Sequence, residues 1–415
     1  MIQRRQFLGT AALAGLAATL PVPILAADAA DLPNLGSRAI PIAASELLDR
    51  LAKVTGLMQA ANMDALLIEA GSSLVYFSGV EWRRSERLTA AILTRDGEIA
   101  IVTPFFEEPS IRESLRIDAP ILAWNEDESP FAAIAQWLAP RGLTKGRIGV
   151  EETVRYFAVD GLKKAMPDAT VVNGAPVVRG CRMQKSAAEI ALMQIAADIT
   201  IAAYRHTALR IEAGMTPADI GAIMAAATRA LGGKSEFELI LLGEASAYPH
   251  GSGKPQAVRS GEVVLMDCGA TVHGYQSDIS RSFVYGKASA RQRQVWDQMR
   301  KGQDVAFAAA KLGTPAGQVD DAVRAFYAGL GWGPDYKLPG TSHRTGHGIG
   351  LDGHEPVNLV RGETTKLAPG MCFSNEPGIY IPGEFGIRLE DCFYMTDSGP
   401  KWFSEPPPSI DEPFG

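Results

Sequence analysis

Five residues in the second half of the chain have the side chains of metal ligands: Asp267, Asp278, His347, Glu376 and Glu390. Carboxylates that meet at one point repel one another unless they are protonated or neutralised by a cation. Oxygen ligands combined with a single imidazole favour Mn, Fe or Co, with Zn as a further option, over a thiolate-bound structural zinc. The residue types therefore predict a divalent metal centre, provided that the fold brings the five together.

The first acidic pair lies in a predicted β-hairpin. The segment GEVVLMDCGATVHGYQSDISRSFVYG predicts a strand over Val263–Cys268, a turn near His273-Gly274 and a return strand over Gln276–Tyr285. Asp267 and Asp278 are almost equally far from this turn. Antiparallel pairing is therefore expected to place them opposite each other on one face of the hairpin.

The second acidic pair repeats this arrangement around a Pro-Gly turn. Glu376 and Glu390 are both seven positions from Gly383. Like charges directly opposite each other normally destabilise a sheet. Two acidic hairpin faces in water are the simpler alternative, but two pairs that are each centred on a turn favour a shared cation site.

The composition is that of a globular protein, with 46% hydrophobic and 21% charged residues in a chain of 415. This length suggests two or three domains. The net charge of −7 and the lack of a basic stripe argue against a nucleic-acid partner. The four cysteines show no C-x-x-C spacing and are expected to be buried free thiols.

Residues 1–29 have the features of a signal peptide: a charged start, an apolar Ala/Leu/Gly-rich run and small residues at a potential cleavage site. The RRQFL motif that begins at Arg4 resembles the twin-arginine export signal. A membrane anchor is the alternative, but the run is only modestly hydrophobic and contains Pro21 and Pro23. We expect a periplasmic protein with no stable membrane anchor after cleavage.

The remaining chain divides into two predicted domains. After a linker at 30–44, residues 45–178 alternate strands and helices and predict an α/β domain. Its loop SGVEWRRSERLT, which holds Trp82, is expected to be solvated or to reach a substrate or a partner subunit. Residues 179–400 form the second predicted domain, and 401–415 form a tail.

The second domain contains a repeat of elements. Four helix starts are marked by a capping pair or by Thr-Pro, at Ser186, Thr216, Ser289 and Thr314. Two predicted helices precede each acidic hairpin. We therefore predict an α+β domain with internal pseudo-twofold symmetry and with the five candidate ligands at its axis.

Five motifs in order resemble the pita-bread metallopeptidase family, which includes aminopeptidase P, prolidase and methionine aminopeptidase: VVLMDCG, GYQSDISRSF, HRTGHGIGL, FSNEPGIY and GIRLEDC. The N-terminal domain is similar to the creatinase-type domain of aminopeptidase P and prolidase. The resemblance implies that Asp267 chelates one of two metal ions and that His347 and Glu376 hold the other. Asp278 and Glu390 are implied to bridge the pair.

The implied activity is hydrolysis of peptide bonds, of the Xaa-Pro type, by a hydroxide that bridges two divalent ions. Mn is first among the metals considered, followed by Co, Fe or Zn. Two ions about 3.5–4 Å apart can lower the pKa of a shared water to ~7, and Glu376 is the candidate for handling its proton. The substrate is expected to be a peptide or another small molecule, and the protein is expected to be a homodimer.

Further side chains are predicted to line the site. By the same resemblance, His250 and His354 would bind substrate and stabilise an oxyanion or shuttle a proton, and His343 would line the site. Arg388 lies two positions before a ligand on the same strand face, which suggests a carboxylate clamp or a partner of the ligands. Two more candidates to support the ligands are Tyr275 and Ser280.

Several points stay open at the level of sequence. The family pattern has Thr-Arg-Thr after the second aspartate, where this chain has Ser280-Arg281-Ser282. Dipeptides and longer peptides are both candidate substrates. One alternative activity is a lyase acting on a small sulfonium acid such as dimethylsulfoniopropionate, with Trp82 in cation–π contact. The other is a non-catalytic peptide-binding protein, whereas the lack of a G-x-S-x-G elbow disfavours a serine hydrolase.

Overall fold

The computed structural model describes residues 29–414. The signal sequence expected over residues 1–29 lies outside this part of the chain, apart from its last residue, so cleavage and export stay predictions. The described residues form an N-terminal α/β domain followed by a C-terminal α+β domain, as the sequence predicts.

A six-stranded mixed sheet forms the centre of the N-terminal domain. Its strands are β1 (Ala65–Glu69), β2 (Ala90–Thr94), β3 (Ile99–Pro104), β4 (Ile121–Trp124), β5 (Arg147–Val150) and β6 (Thr170–Asn173). They are ordered β4-β3-β2-β1-β5-β6, with β1 antiparallel to β2 and parallel to β5. Every residue of β1, β2 and β3 is buried, which indicates that both faces of the sheet are covered.

Six helices accompany this sheet: α1 (Ala44–Ala60), α2 (Ser72–Ser78), α3 (Glu108–Ser114), α4 (Pro130–Leu138), α5 (Tyr156–Ala165) and α6 (Ala175–Arg182). Helix α1 has an amphipathic pattern, because Leu47, Leu51 and Val54 are buried at intervals of four and three residues. Its apolar face packs into the core, and its other face meets solvent.

The C-terminal domain is built from four helices and three groups of strands within the described residues. The helices are α7 (Ala187–Ala208), α8 (Pro217–Ala230), α9 (Ala290–Ala309) and α10 (Gly317–Gly329). One sheet has the order β10-β8-β7, with β9 paired to β8; its strands are β7 (Lys234–Leu242), β8 (Val263–Val272), β9 (Tyr275–Gln276) and β10 (Ile279–Val284).

The second sheet of this domain has the order β12-β11-β13-β16-β17, and a separate hairpin pairs β14 with β15. These strands are β11 (Gly346–Gly348), β12 (Glu355–Leu359), β13 (Cys372–Asn375), β14 (Gly378–Ile381), β15 (Phe385–Arg388), β16 (Asp391–Thr396) and β17 (Gly399–Trp402). The acidic residues of the second hairpin lie where these two strand groups meet.

The predicted repeat of elements is present. Helices α7 and α8 pack together before the first acidic hairpin, and α9 and α10 pack together before the second. Capping boxes begin three of the four helices, at Ser186, Thr216 and Ser289. The two halves therefore start from the same local signals and present their hairpins in the same order.

The predicted start of the fourth helix at Thr314 is wrong. Backbone hydrogen bonds pair the stretch from Thr314 to Ala316 with residues 365–367. An extended pair of this kind is incompatible with a helical turn at the same residues. Helix α10 therefore begins only at Gly317 and has no side-chain cap.

The two domains share a hydrophobic core, in which buried side chains of α1 and α6 join those of α7 and β8. A buried polar chain crosses the same boundary. Tyr275 Oη donates to Glu189 Oε1 at 2.8 Å and accepts from Arg50 Nη2 at 3.0 Å. Tyr275 is a sequence-based candidate to support the metal ligands. Its hydroxyl instead links the two domains through Glu189 and Arg50.

The segments predicted as linker and tail both pack against the C-terminal domain. The N–H of Gly36, in a short 3-10 helix at Leu35–Arg38, donates to Leu231 O at 3.0 Å. After β17, Phe403 is buried, and the ring of Phe414 stacks on Tyr204 with centroids 5.8 Å apart. Both ends of the described chain thus contribute to the packing.

Of the described helices, only α7 is long and apolar enough to cross a membrane. It packs against α8 and β8, with half of its most apolar stretch buried inside the protein, as in a core helix. The cysteines are free and buried, as predicted, at positions Cys181, Cys268, Cys372 and Cys392.

A buried ion-pair network joins β12 to the N-terminal domain. Lys185 Nζ lies 2.9 Å from Glu355 Oε2, and Arg182 contacts the other oxygen of the same carboxylate. Arg182 also donates to Asp352 Oδ2 and to Ser73 Oγ, both at 2.8 Å. Burial alone would raise the pKa of Glu355, but the charges of Lys185 and Arg182 outweigh it and lower the pKa to about 2.

We expect Glu355→Gln to destabilise the protein by about 3–5 kcal/mol near neutral pH, because it leaves two buried cations without their counter-charge. The pKa of Glu355 is lower in the folded state than its unfolded value of about 4.3. Its stabilisation is therefore present above this unfolded pKa and is lost as the pH falls toward about 2. Urea unfolding across this pH range should show the difference between wild type and variant shrinking at the acid end.

The control for this prediction is Glu384→Gln, which removes an exposed ion pair with Arg291 and should leave the midpoint of unfolding almost unchanged. If Glu355→Gln behaved like this control near neutral pH, the network would not stabilise the fold.

Candidate metal centre

The first hairpin closes through a two-residue turn at 273–274, whose φ angles are both positive, 48° and 84°. This turn sets Asp267 opposite Ser280, and it leaves Asp278 level with Gly269. The expected direct opposition of Asp267 and Asp278 is therefore wrong, and the two lie two positions apart on one face. Direct opposition of Asp267 and Asp278 would need a turn centred one residue earlier in the chain. Moving the centre of a turn by one residue moves the strand register by two.

The second hairpin has the predicted register. The ladders β13–β16 and β14–β15 are both centred on Gly383, whose φ is 81°. Glu376 and Glu390 lie level with each other between these two ladders. Backbone hydrogen bonds of 3.0 and 3.2 Å join Glu390 to Ser280, whose Oγ also donates to Glu390 Oε2 at 2.9 Å. These bonds bring the two acidic hairpins side by side.

The imidazole of His347 is held by β11. Its backbone N–H donates to Ser374 Oγ at 3.1 Å, and its Nδ1 lies 3.1 Å from Gly348 O, which leaves Nε2 for a metal ion. A Cβ on Gly346 would lie 2.1 Å from Ser374 O, and one on Gly348 would lie 2.7 Å from Glu355 O. Glycine is required at both positions because the neighbouring strands approach this closely.

All five predicted ligands converge. Nε2 of His347 lies 3.3 Å from Glu376 Oε1, 3.6 Å from Asp278 Oδ2 and 4.0 Å from Glu390 Oε1. Three groups of donor atoms lie within 4.8 Å of one another: Asp267 with Asp278 and Glu390, His347 with Glu376 and Glu390, and Asp278 with His347 and His354. Asp278, His347 and Glu390 each belong to two of these groups, so the three groups of donors overlap.

Two carboxylate oxygens of this cluster, Asp267 Oδ1 and Glu390 Oε1, are buried and have no hydrogen-bond partner among the described residues. A buried charged oxygen without a partner is costly. Carboxylate oxygens with one imidazole are ligands that suit divalent cations. The residues present therefore fit divalent metal ions.

Burial and mutual repulsion shift the protonation of the cluster. Burial, followed by repulsion from neighbouring carboxylates, raises the pKa values of Asp278 and Glu390 well above their usual range. Burial also raises the pKa of Glu376 to about 7, against the attraction of Arg388 and with repulsion from Asp267. Divalent cations would reverse these shifts, because they stabilise the charged carboxylates.

Arg388 is a clamp for one of the ligands. Its Nη2 donates to Asp267 Oδ2 at 2.6 Å, and its Nε donates to Ser280 Oγ at 3.0 Å. Its Nη1 donates to Pro249 O at 3.1 Å and to Tyr380 Oη at 3.2 Å. The two alternatives for Arg388 thus coincide: it clamps a carboxylate, and that carboxylate belongs to the predicted metal ligand Asp267.

His343 forms part of the wall of the site. Its Nε2 lies 2.7 Å from Tyr380 Oη, and its Nδ1 lies 2.8 Å from Arg344 O. Burial, followed by the charge of Arg388, lowers the pKa of His343 to about 3. Its imidazole is therefore neutral at physiological pH.

His250 and His354 lie on the solvent side of the site and are exposed. The ring of His354 meets that of His347 edge to face, with centroids 4.1 Å apart. Burial, followed by the charge of Arg344, lowers the pKa of His354. Both histidines can reach a molecule that enters the site.

One cavity of about 740 Å³ contains the candidates, and it is lined by Asp267, Asp278, His347, Glu376, Glu390, His250, His343, His354 and Arg388. Sequence reasoning missed Tyr380 and Arg344. Tyr380 lies four positions after Glu376, and the alternation of an extended strand could have placed both on one face. Arg344 adjoins His343 within HRTGHGIGL, and nothing in its spacing distinguishes it.

Two family descriptions match the chain: Creatinase/Prolidase N-terminal domain over residues 50–184 and Metallopeptidase family M24 over residues 191–397. The probable dipeptidase PepE of Mycobacterium tuberculosis is 32% identical over 355 residues, which are 84% of this chain and 92% of that protein. The Xaa-Pro dipeptidase of Lactobacillus helveticus is 30% identical over 361 residues, covering 85% and 96%.

The crystal structure of dipeptidase PepE from Mycobacterium ulcerans superposes with a TM-score of 0.82 and 31% identity, covering 89% of this chain and 98% of that one. The creatinase-type N-terminal domain, the repeated halves and the carboxylate-rich site together define a metallopeptidase. The chain belongs to metallopeptidase family M24, and its catalytic domain has the pita-bread fold.

We expect the metal-free protein to bind two equivalents of Mn²⁺. Asp278→Asn changes a ligand that belongs to two donor groups, so it should reduce the stoichiometry to one or less and weaken binding at least about tenfold. Isothermal titration calorimetry, with elemental analysis of the loaded protein, measures both quantities. Asp297→Asn, on the exposed face of α9, is the control and should keep both sites. Two undiminished sites in Asp278→Asn would rule out its role as a ligand.

Proposed function

We propose that the protein hydrolyses Xaa-Pro peptide bonds with two divalent metal ions held by Asp267, Asp278, His347, Glu376 and Glu390. The observation that carries this proposal is the convergence of these donors, with two unpartnered carboxylate oxygens, in one cavity. The family supports peptide hydrolysis, and the Xaa-Pro dipeptidase of Lactobacillus helveticus supports the proline preference. Mn is the proposed metal because oxygen donors with one imidazole suit it, with Co, Fe or Zn as alternatives.

The proposed ligand roles follow the grouping of the donor atoms. Asp267 belongs only to the group that contains Asp278 and Glu390, which assigns it to one ion. Glu376 belongs only to the group that contains His347 and Glu390, which assigns it to the other. Asp278, His347 and Glu390 each occur in two groups. A carboxylate has two oxygens, whereas His347 offers only its free Nε2, so Asp278 and Glu390 would be the ligands shared between the two ions.

Bound by these ligands, two divalent ions supply Lewis acidity, which polarises the scissile carbonyl and makes water a stronger nucleophile near neutral pH. Glu376 is the proposed general base, because its carboxylate lines the cavity beside His347 and can accept the proton of an attacking water. The proline nitrogen must receive a proton as the C–N bond breaks, because it would otherwise leave as an unstable anion. Glu376 is positioned to return the one that it accepted.

His250 and His354 are proposed to donate hydrogen bonds to the carbonyl oxygen as it gains negative charge. Their exposure on the solvent side of the cavity supports this role, because substrate enters there. His343 is neutral and forms part of the wall. Arg388 orients Asp267, and its nitrogens are already engaged by the protein.

The alternative lyase activity on a sulfonium acid finds no support at Trp82. Trp82 lines a neighbouring cavity, which shares Asp352 and His354 with the metal cavity. Its Nε1 donates to Glu107 Oε2 at 3.1 Å. Trp82 does not line the cavity of the metal ligands, so the cation–π contact that this activity requires is not present beside them.

We also propose export to the periplasm and assembly as a homodimer. The RRQFL motif and the apolar run after it support export by the twin-arginine route. Replacing Arg4 and Arg5 together by Lys should retain the protein in the cytoplasm, which cell fractionation measures. Unchanged periplasmic recovery would contradict this route, and analytical ultracentrifugation of the mature protein tests the dimer.

Metal-loaded protein should release proline from Ala-Pro, and chelation of the metal should abolish this activity. Glu376→Gln should lower kcat by at least about a hundredfold, because it removes both a ligand and the proposed base. Glu384→Gln, at the exposed turn between β14 and β15, is the control and should keep wild-type kcat. If metal-loaded wild type cleaved neither Ala-Pro nor a longer Xaa-Pro peptide, the proposed function would be wrong.

A further inference from the structure

One acidic residue in the wall of the metal cavity is neither a candidate metal ligand nor part of an ion pair. Six carboxylates line this cavity, and four of them belong to candidate ligands. A fifth, that of Asp352, accepts hydrogen bonds from Arg182 and Ser72. The sixth belongs to Glu236, which is exposed and whose side chain makes no ion pair and no hydrogen bond within residues 29–414. Glu236 therefore contributes a negative charge that the described protein does not neutralise.

A β-bulge in β7 turns Glu236 toward the metal cavity. In the ladder with β8, Ser235 and Phe237 lie opposite consecutive residues, 270 and 269, so Glu236 between them is the extra residue. Adjacent residues of a regular strand point to opposite faces of a sheet. Here Glu236 and Phe237 both line the cavity, because the extra residue interrupts the alternation.

The contacts on both faces of β7 agree with this bulge. Ser235 Oγ donates a hydrogen bond to Glu238 Oε1, although residues three apart in a regular strand face opposite ways. Their face is that of helix α8, since a Cβ on Gly221 would lie 3.5 Å from Glu238 Cβ. On the cavity face, a Cβ on Gly269 would lie 2.5 Å from Phe237 Cε1. The bulge thus separates a hydrogen-bonded pair on the helix side from a free carboxylate on the cavity side.

Glu236 is set back along the wall from the candidate metal ligands. Leu239 lies opposite Asp267 in the ladder and also lines the cavity. Glu236 is three positions before Leu239, and three residues of strand span about 10 Å. The side chains of Leu239 and Phe237 make the wall between these two levels apolar. The cavity therefore offers an apolar path that begins at the metal ligands and ends at a carboxylate.

We propose that Glu236 binds the cationic side chain of a lysine or arginine that precedes proline in the substrate. This inference rests on the proposed Xaa-Pro hydrolysis. A long basic side chain can pack its methylene groups along Leu239 and Phe237 while its charged end reaches the carboxylate. The N-terminal ammonium of the same residue is attached next to the scissile carbonyl, so it stays beside the metal ligands and does not reach Glu236.

This contact selects the residue before proline without taking part in bond cleavage. An apolar side chain of similar length gains the contact with the wall but not the ion pair, and an acidic side chain is repelled. Because Glu236 is exposed, the ion pair should raise kcat/KM by only about three- to fivefold. The effect should lie mainly in KM, since the reacting atoms are not touched.

The test compares Lys-Pro with norleucyl-proline, which has the aliphatic chain of lysine without the ammonium, as substrates of the Mn²⁺-loaded protein. Wild type should cleave Lys-Pro with a kcat/KM about three- to fivefold above that for norleucyl-proline. Glu236→Gln should remove this preference by lowering kcat/KM for Lys-Pro alone. Glu236→Lys should reverse the preference, so that Glu-Pro is cleaved better than Lys-Pro.

The salt dependence gives a second readout that a merely structural role would not change. The preference of wild type for Lys-Pro should shrink between about 0.1 M and 1 M NaCl, because the screening length falls from about 10 Å to about 3 Å. Glu236→Gln should show no such change in relative activity.

The matched control is Glu244→Gln, which changes an exposed glutamate that does not line the metal cavity and should keep the wild-type preference. The variants of Glu236 should keep the metal content and melting temperature of wild type, because the residue is not a candidate ligand and contributes no side-chain bond to the described fold.

The outcomes separate the two proposals. Equal cleavage of Lys-Pro and norleucyl-proline by wild type would overturn the role of Glu236 and leave Xaa-Pro hydrolysis intact. An equal loss of both activities in Glu236→Gln would also overturn it, because the residue would then act on a group that both substrates share. If metal-loaded wild type cleaved none of these peptides, the proposed function itself would fail.

Discussion

Repulsion among buried carboxylates is the constraint on which the C-terminal domain depends. Asp278 and Glu390 are buried beside the partly buried Glu376, and desolvation raises the pKa of each. The protein itself neutralises this group of carboxylates incompletely. Arg388 binds one oxygen of the neighbouring Asp267, and the other oxygen of Asp267 has no hydrogen-bond partner among the described residues. The geometry therefore favours divalent cations over internal ion pairs as the source of charge balance.

A second buried carboxylate shows how differently the same chain treats a structural acid. Glu355 lies between Lys185 and Arg182, and its pKa falls to about 2, whereas the pKa of Glu376 rises to about 7. Glu355 is buried, and Glu376 is partly buried. The contrast arises because Glu355 has two cationic partners and Glu376 faces other carboxylates. Glu355 holds the two domains together, and Glu376 is available to a metal ion and a substrate.

The cluster of candidate metal ligands depends on two hairpins, one from each half of the C-terminal domain. Each hairpin alone would bring two like charges close together in a sheet. Hydrogen bonds between Ser280 and Glu390 align the two hairpins, and Gly346 and Gly348 let β11 approach closely enough to add His347. The N-terminal domain is coupled to this arrangement through the ion pairs of β12 and through a shared core.

Sequence patterns predict the parts of this site that depend on local geometry. The register of Glu376 and Glu390 follows from Gly383, because the turn lies at the centre of both ladders. The pairing of Asp267 with Asp278 fails although the turn lies at residues 273–274, as predicted: Asp267 is six positions before this turn and Asp278 only four positions after it.

Other parts of the site depend on contacts between distant segments, which spacing does not encode. Tyr275 lies next to the acidic hairpin in sequence, yet it bonds to Glu189 and Arg50 across the domain boundary. Arg344 is placed in the wall of the metal cavity only by the fold of the segment before β11. The helix start predicted at Thr314 fails for the same reason, because a distant segment pairs with it first.

An anomalous difference map from crystals soaked in Mn²⁺ tests the two-ion centre most directly. We expect two peaks about 3.5–4 Å apart, one beside Asp267 and the other beside His347, with Asp278 and Glu390 between them. A single peak, or peaks outside this cluster, would contradict the dinuclear centre.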